Sequence, residues 1–338
     1  MRKGKRLIAW IMAVVMLFTI CVFGGNGTAE AAATTPVAKH GRLSVKGADL
    51  VDSKGNKFQL RGISTHGINW DVGSPYVNKK AFKTLRDDWG VNAIRLAMYT
   101  EEYNGYCSGG SQAKLRKLVD KGVGYATDLG MYAIIDWHIL SDGNPNKNKS
   151  QAKKFFTTMA KKYKNNKNVI YEICNEPNGC SWKEIKSYAT DIIKTIRKYD
   201  KKAVIIVGTP TWSQLGTDGT SNEVADSPIK GYKNIMYSLH FYASEWAHNE
   251  YLPAKVAYAR KKKLPIIVSE FGLSPASGDG AINKASADKW MKLLNKYNIS
   301  YFCWSLSNKN ESASMLKPST KKTSGWKSGD LSTAGKYI

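Results

Sequence analysis

Two hydrophobic patterns alternate along the chain. Short unbroken apolar runs, rich in β-branched and aromatic residues, fit strands buried on both faces. Between them lie longer stretches whose apolar residues recur at helical spacing; Leu115, Leu118, Val119, Val123 and Ala126, for instance, share one face. Strands are predicted over 59–64, 93–98, 132–138, 169–173, 203–207, 235–241, 264–268 and 300–305, and helices over 79–89, 111–129, 150–163, 181–199, 252–262 and 284–297. Alternating elements of this kind imply a parallel sheet, and eight such strands joined by right-handed crossovers close it into a barrel. The expected fold class is therefore α/β, a single-domain (β/α)8 barrel of the TIM type. Leu43–Val45 and Leu50–Asp52, separated by polar turn residues, read as a short N-terminal β-hairpin closing one end. An open doubly wound sheet is disfavoured, because no glycine-rich dinucleotide loop follows the first strand.

The N-terminus lies outside this pattern. Arg2, Lys3, Lys5 and Arg6 precede an apolar run from Leu7 to Phe23, and the small residues Ala29-Glu30-Ala31-Ala32-Ala33 follow. Residues 1–33 thus read as a cleaved secretory signal peptide, giving a secreted, extracellular protein with no membrane association once the signal is removed. A retained anchor is the competing reading.

Composition changes the picture in two places. The formal net charge of +24 falls to about +21 on cleavage. The lysines lie in scattered helix-face clusters such as 161–164 and 261–263, with no nucleic-acid motif beside them, so nucleic acid is not an expected partner. Of the cysteines left after cleavage, Cys174 and Cys303 lie by strand runs and read as small core residues, whereas Cys107 and Cys180 sit in loops, free to pair or not. No C-x-x-C or close histidine pair suggests zinc.

The candidate chemistry is at the strand ends. The run Val169–Ile173 stops in Asn175-Glu176-Pro177, where Pro177 cannot continue a ladder. The run 264–268 leads in the same way to Ser269-Glu270-Phe271-Gly272. The remaining strand ends carry His66, Arg95, His138, His240-Phe241-Tyr242 and Trp304. Any one of these is ordinary as a structural residue. Together, two carboxylates, three histidines and an arginine on one rim serve no apolar core, and the C-terminal rim is where barrels of this class carry their chemistry. Two such glutamates are what double-displacement hydrolysis of a glycoside requires. Trp70, Tyr99, Trp212 and Trp304 fall in or just after strand ends, where rings can stack on sugars. Trp137 is assigned to the core, since it directly precedes a site residue and period two turns it away.

Six segments, Ile94-Arg95-Leu96, Asp136-Trp137-His138, Tyr171–Pro177, Leu239–Tyr242, Ser269–Gly272 and Trp304–Ser307, resemble glycoside hydrolase family five, and within it the bacterial endoglucanases, over residues 41–338. The resemblance implies Glu176 as general acid/base and Glu270 as nucleophile, with retention of configuration. It implies that Arg95 and Tyr242 hold Glu270, that His138 and His240 line the cleavage point, and that Asn175 binds the sugar 2-hydroxyl. Lys309-Asn310-Glu311 is similar to the family's Lys-x-Glu, implicated in hydroxyl contacts. Phe271 departs from the tryptophan of many relatives. The implied substrate and partner is a β-1,4-glucan, cut internally by a monomer needing no metal or organic cofactor. Activity on mannan, xylan or xyloglucan is an alternative, and a non-catalytic carbohydrate-binding barrel another, although neither glutamate nor Arg95 is missing.

Overall fold

In the computed structural model, which describes residues 34–338, ten strands and eight helices of five residues or more are formed. The predicted signal peptide lies outside the described residues. A helical turn α1 (Pro36–His40) leads to the antiparallel hairpin β1 (Ser44–Lys46) and β2 (Asp49–Val51). The chain then alternates through β3 (Arg61–Thr65), α2 (Lys79–Trp89), β4 (Ala93–Tyr99), α3 (Gln112–Asp128), β5 (Tyr132–His138), α4 (Lys149–Tyr163), β6 (Val169–Glu172), α5 (Trp182–Arg197) and β7 (Ile205–Val207). It continues with β8 (Ile235–Tyr242), α6 (Trp246–Lys261), β9 (Ile266–Gly272), α7 (Lys284–Tyr297), β10 (Tyr301–Leu306) and a terminal α8 (Thr333–Tyr337). Strands β3 to β10 pair in parallel and close a barrel in the order β10-β3-β4-β5-β6-β7-β8-β9.

Local signals fix the helix ends. Asn78 caps α2 by accepting from Ala81 N–H, and Gly90 ends it in the left-handed conformation at φ 68°. Ser181 and Glu184 form a reciprocal capping box on α5. One boundary differs from expectation: α6 begins at Trp246, not Leu252, and contains Pro253. Its first turn shows no buried apolar stripe, because Trp246 stays in solvent, and a proline near a helix start mimics an N-terminal signal.

Period-two alternation splits the core into two layers. Ile63, Ile94, Ile135, Tyr171 and Ile205 face outward into the shell shared with the helices. Leu60, Tyr132, Ile134, Ile170, Val204, Ile206, Met236, Ile267 and Phe302 face inward and fill the lower barrel, where Leu43, Leu50 and Phe58 of the hairpin region cover its N-terminal end. Gly62 makes room there: a Cβ on it would lie 2.1 Å from the Phe302 ring. Truncating Phe302 to alanine would cost about 3–5 kcal/mol. Trp137 is fully buried in the outer layer, and the four cysteines among the described residues are free thiols, with Cys174 and Cys303 in the core and Cys107 and Cys180 half-buried.

Candidate active site

Toward the C-terminal end of the strands the barrel interior turns from apolar to polar. Arg95, fully buried on β4, is its centre. Its Nε donates to Glu172 at 2.7 Å, Nη1 to Glu270 at 2.9 Å and Ser64 at 3.3 Å, and Nη2 to Asn175 at 2.5 Å while lying 3.0 Å from Asp136. One cation thus faces three carboxyl groups in a buried space, and burial disfavours their charged forms. Desolvation pushes Asp136 up to about 7 despite the attraction of Arg95, and Glu172 is raised for the same reason. Asp136 Oδ1 and Glu172 Oε1 have no hydrogen-bond partner among the described residues. Asp136 and Glu172 are register partners on β5 and β6. No role was assigned to either from sequence, although the alternation that turned Trp137 outward places Asp136 on the same inner face as His138.

Glu270 is gripped from both sides. Arg95 binds Oε2, and the Tyr242 hydroxyl donates to Oε1 at 2.8 Å. The phenol is held protonated, its pKa raised first by burial and then by the Glu270 charge. Tyr242 is itself fixed by its backbone N–H donating to His248 Nδ1 at 2.9 Å.

Glu176 lies beyond the end of β6, in the turn before Pro177, and only one of its oxygens is held. His240 Nδ1 sits 2.7 Å from Oε1, and His240 Nε2 lies 3.0 Å from Ser269 Oγ. Burial pushes the Glu176 carboxyl up to about 8, Arg95 opposes this, and Asp136 and Glu172 reinforce it. Burial also brings His240 down to about 4, against the pull of Glu270, so the imidazole is neutral around pH 7. A protonated Glu176 can therefore donate to Nδ1 while Nε2–H donates to Ser269. His138, similarly lowered by burial and by Arg95, bonds Asp136 through Nδ1 at 2.5 Å and faces the Asn175 amide at 3.3 Å. Asn175 also donates to the Ile139 carbonyl at 3.1 Å. With its oxygen on Arg95, its polar atoms are engaged by protein and only 1 % of its surface is exposed.

A cleft of about 540 Å³ lies over these groups, lined by both glutamates, His66, His138, His240, Tyr242 and the rings of Trp70, Tyr99, Trp212 and Trp304. Arg95 and Asn175 sit behind its wall. Trp70 stacks on Tyr99 with centroids 4.5 Å apart, and its indole N–H donates to the Tyr103 carbonyl at 2.6 Å. Trp304 stacks on His138 at 5.2 Å and an interplanar angle of 14°. Glu311 lies 3.6 Å from His66 and 2.5 Å from Lys309; burial raises its carboxyl, but these two partners outweigh burial and hold it below the usual range. Phe271 points away from the cleft and stacks on Phe241 at 5.3 Å. Its departure from tryptophan is a matter of the outer shell.

The family model described as cellulase (glycosyl hydrolase family 5) matches residues 51–310. The chain belongs to that family. An endoglucanase from Clostridium saccharobutylicum is 47% identical over 99% of this chain and 71% of its own length. Endoglucanase E-5 of Thermobifida fusca is 39% identical, over 90% of this chain and 64% of its own. Among solved structures, cellulase Cel5C_n superposes with a TM-score of 0.84 at 39% identity, covering 90% of this chain and 92% of its own. The catalytic domain of a Thermobifida fusca endoglucanase, solved with cellotetraose, gives 0.81 at 37% identity, covering 90% and 97%. As a family-5 cellulase the chain is a glycoside hydrolase of the endo-1,4-β-glucanase type.

Glu176, His240 and Glu270 bring one oxygen or nitrogen each to within 4.8 Å of one another, a triangle that could also meet a cation. A cation there would compete with the Arg95 guanidinium for Glu270 and displace the Glu176 proton. The donor set suits acid–base chemistry better.

Proposed function

We propose that the chain is an exported, retaining endo-β-1,4-glucanase in which Glu270 is the nucleophile and Glu176 the acid/base. The observation that carries this is the pairing of unequal carboxyls. Oxygens of the two groups lie within 4.8 Å, whereas an inverting enzyme separates its carboxyl groups by roughly 6.5–9.5 Å to admit a water. One carboxyl is hydrogen-bonded on both oxygens by Arg95 and Tyr242; the other is a proton carrier at neutral pH.

In the first step, Glu270 attacks the anomeric carbon as the glycosidic C–O bond breaks, and Glu176 gives its proton to the departing oxygen. The product is a glycosyl ester on Glu270. Esterification removes that carboxylate's charge, so the nearby Glu176 becomes easier to ionise and takes a proton from the water that cleaves the ester. His240, neutral and on Glu176, receives or supplies a hydrogen bond as the proton leaves and returns. Arg95 acts on Glu270 from behind the wall, with Asn175 holding Arg95 and His138 in place, and the ring walls supply stacking faces for pyranoses.

Rates of reducing-end release from carboxymethylcellulose, glucomannan and xylan, measured side by side, test the sugar assignment; preference for either of the latter two would overturn it. Endo action predicts that carboxymethylcellulose viscosity falls steeply while few reducing ends have appeared. A fall only in proportion to reducing ends would mean an exo mode.

A further inference from the structure

Four aromatic residues in the described part of the chain are conspicuously exposed, Tyr103, Trp212, Trp246 and Tyr251, and all four belong to segments at the C-terminal mouth of the barrel. A single exposed ring needs no explanation, but confinement of all of them to one face does. Trp212 lines the cleft. Trp246 does not: it opens α6 with 68% of its surface exposed, next to Glu245, which does line the cleft.

Trp246 is not a loose ornament. Tyr251 meets it edge to face, with centroids 5.8 Å apart at 81°. The Tyr251 ring in turn covers Gly219, where a Cβ would lie 2.9 Å from it, so α6 rests directly on the backbone of the segment that follows Trp212. Lys255, on the same helix and 4% exposed, donates its ammonium to the carbonyls of Gln214 (3.1 Å) and Asp218. Ring packing and a buried cation therefore join α6 to the Trp212 segment.

Direction follows from the strand order. Trp212 N–H donates to the Pro177 carbonyl at 3.1 Å, which places this residue on the Glu176 side, where the leaving chain emerges. In the closed ring, β7 and β8, which precede Trp212 and Trp246, stand opposite β3 and β4, which carry Trp70 and Tyr99. A groove that starts at Trp70 and crosses the glutamates thus runs out toward Trp212 and then α6.

We propose that Trp246 and Tyr251 form a distal carbohydrate platform that holds the leaving-group end of the same β-1,4-glucan chain, beyond the sugar that meets Trp212. The proposal rests on the endo-glucanase reading above. A glucan presents the matching chemistry: uncharged, with apolar ring faces and a hydroxyl edge that stays wet, continuing from a cleft already adjoining Glu245. Binding energy collected there helps only chains long enough to reach it.

The test is kcat/KM for a graded series of soluble cello-oligosaccharides, for the intact chain and for Trp246→Ala and Trp246→Phe, with thermal melts to confirm that each variant folds. For Trp246→Ala the loss should grow with chain length, reaching about tenfold on the longest substrates, equivalent to about 1.4 kcal/mol. Trp246→Phe should recover most of it. An equal loss at every length, or none at the longest, would overturn the platform while leaving the glucanase reading intact. Failure of the unaltered protein to cleave any member of the series would overturn both.

Discussion

The two sides of the cleft are built to different standards. On one side everything is braced: Glu270 is bonded on both oxygens, Trp70 is stacked on Tyr99 and tied through its N–H, and Trp304 lies flat on His138. On the other, Glu176 has a single partner for its carboxylate, and Trp212 stands 44% exposed on a turn where Thr211, Trp212 and Ser213 all adopt left-handed φ of 52–62°. Left-handed backbone at three successive non-glycine residues costs about 1–3 kcal/mol each and persists only where surroundings enforce it. Here Ser213 Oγ donates to the Asn175 carbonyl at 2.6 Å and Lys255 holds the following residues. The contrast fits the proposed chemistry, in which the sugar under attack is held still, whereas the leaving chain is released and a water admitted beside a carboxyl that changes protonation.

The sharpest way to break this comparison is to remove each carboxyl. Glu270→Gln should lower turnover by at least about 10³-fold whatever the leaving group, because nothing replaces the nucleophile. Glu176→Gln should lose roughly 10²–10⁴-fold on glucans yet much less on an aryl glycoside that departs unaided. Azide should partly restore Glu176→Ala on the aryl substrate and yield a β-glycosyl azide. An α-azide, or equal losses across leaving groups, would reverse or dissolve the assignment.

Next in size is Arg95→Met. It leaves Asp136, Glu172 and Glu270 without their cation, and breaking a buried ion pair in this way costs about 3–5 kcal/mol. Denaturant melts should find the loss smallest in acid, where the carboxyls are neutral, and growing as pH rises through about 7, where Asp136 ionises. A loss independent of pH would mean that packing, not charge, is at stake.

The ring walls should separate in kinetics. Trp70→Ala is expected to lower kcat/KM by about 10–100-fold with part of the loss in kcat, since remote binding positions the reacting sugar. Trp212→Ala should mainly raise KM, and by less. Reversal of that order would reverse the roles of the two sides.

The smallest expected effect is the pH profile. Glu176 must be protonated to act and its raised pKa is about 8, so activity should hold through neutrality and fall as pH rises through about 8. Removing the neighbouring charges in Asp136→Asn should shift that alkaline limb downward, since the Asp136 charge helps to raise the Glu176 pKa. An unmoved limb would detach Asp136 from the acid.

The apolar half of the molecule was legible residue by residue. Strand Tyr132–His138 and helices Lys79–Trp89 and Lys284–Tyr297 lie where periodicity put them, because burial in a two-layer barrel is a local instruction repeated along each element. The polar half was legible only as a set of strand ends. His66, His138, His240, Glu176 and Glu270 could be gathered on one rim from alternation alone, but which side chain touches which depends on register and closure between strands distant in sequence.

What the sequence by itself determined is therefore the repeating βα pattern, the parallel barrel it implies and the rim on which two glutamates and their aromatic neighbours must sit. Tertiary structure alone decided the electrostatics. Asp136 and Glu172 become neighbours only through the β5–β6 register, and only closure brings Arg95 onto Glu270 across 175 positions of chain. It also turned Asn175 back toward Arg95 and carried Trp246 into solvent beside the cleft. Pairings of this kind arise because charge and stacking act through space at a few ångströms, whereas a sequence pattern records only which way each residue faces within its own strand or helix.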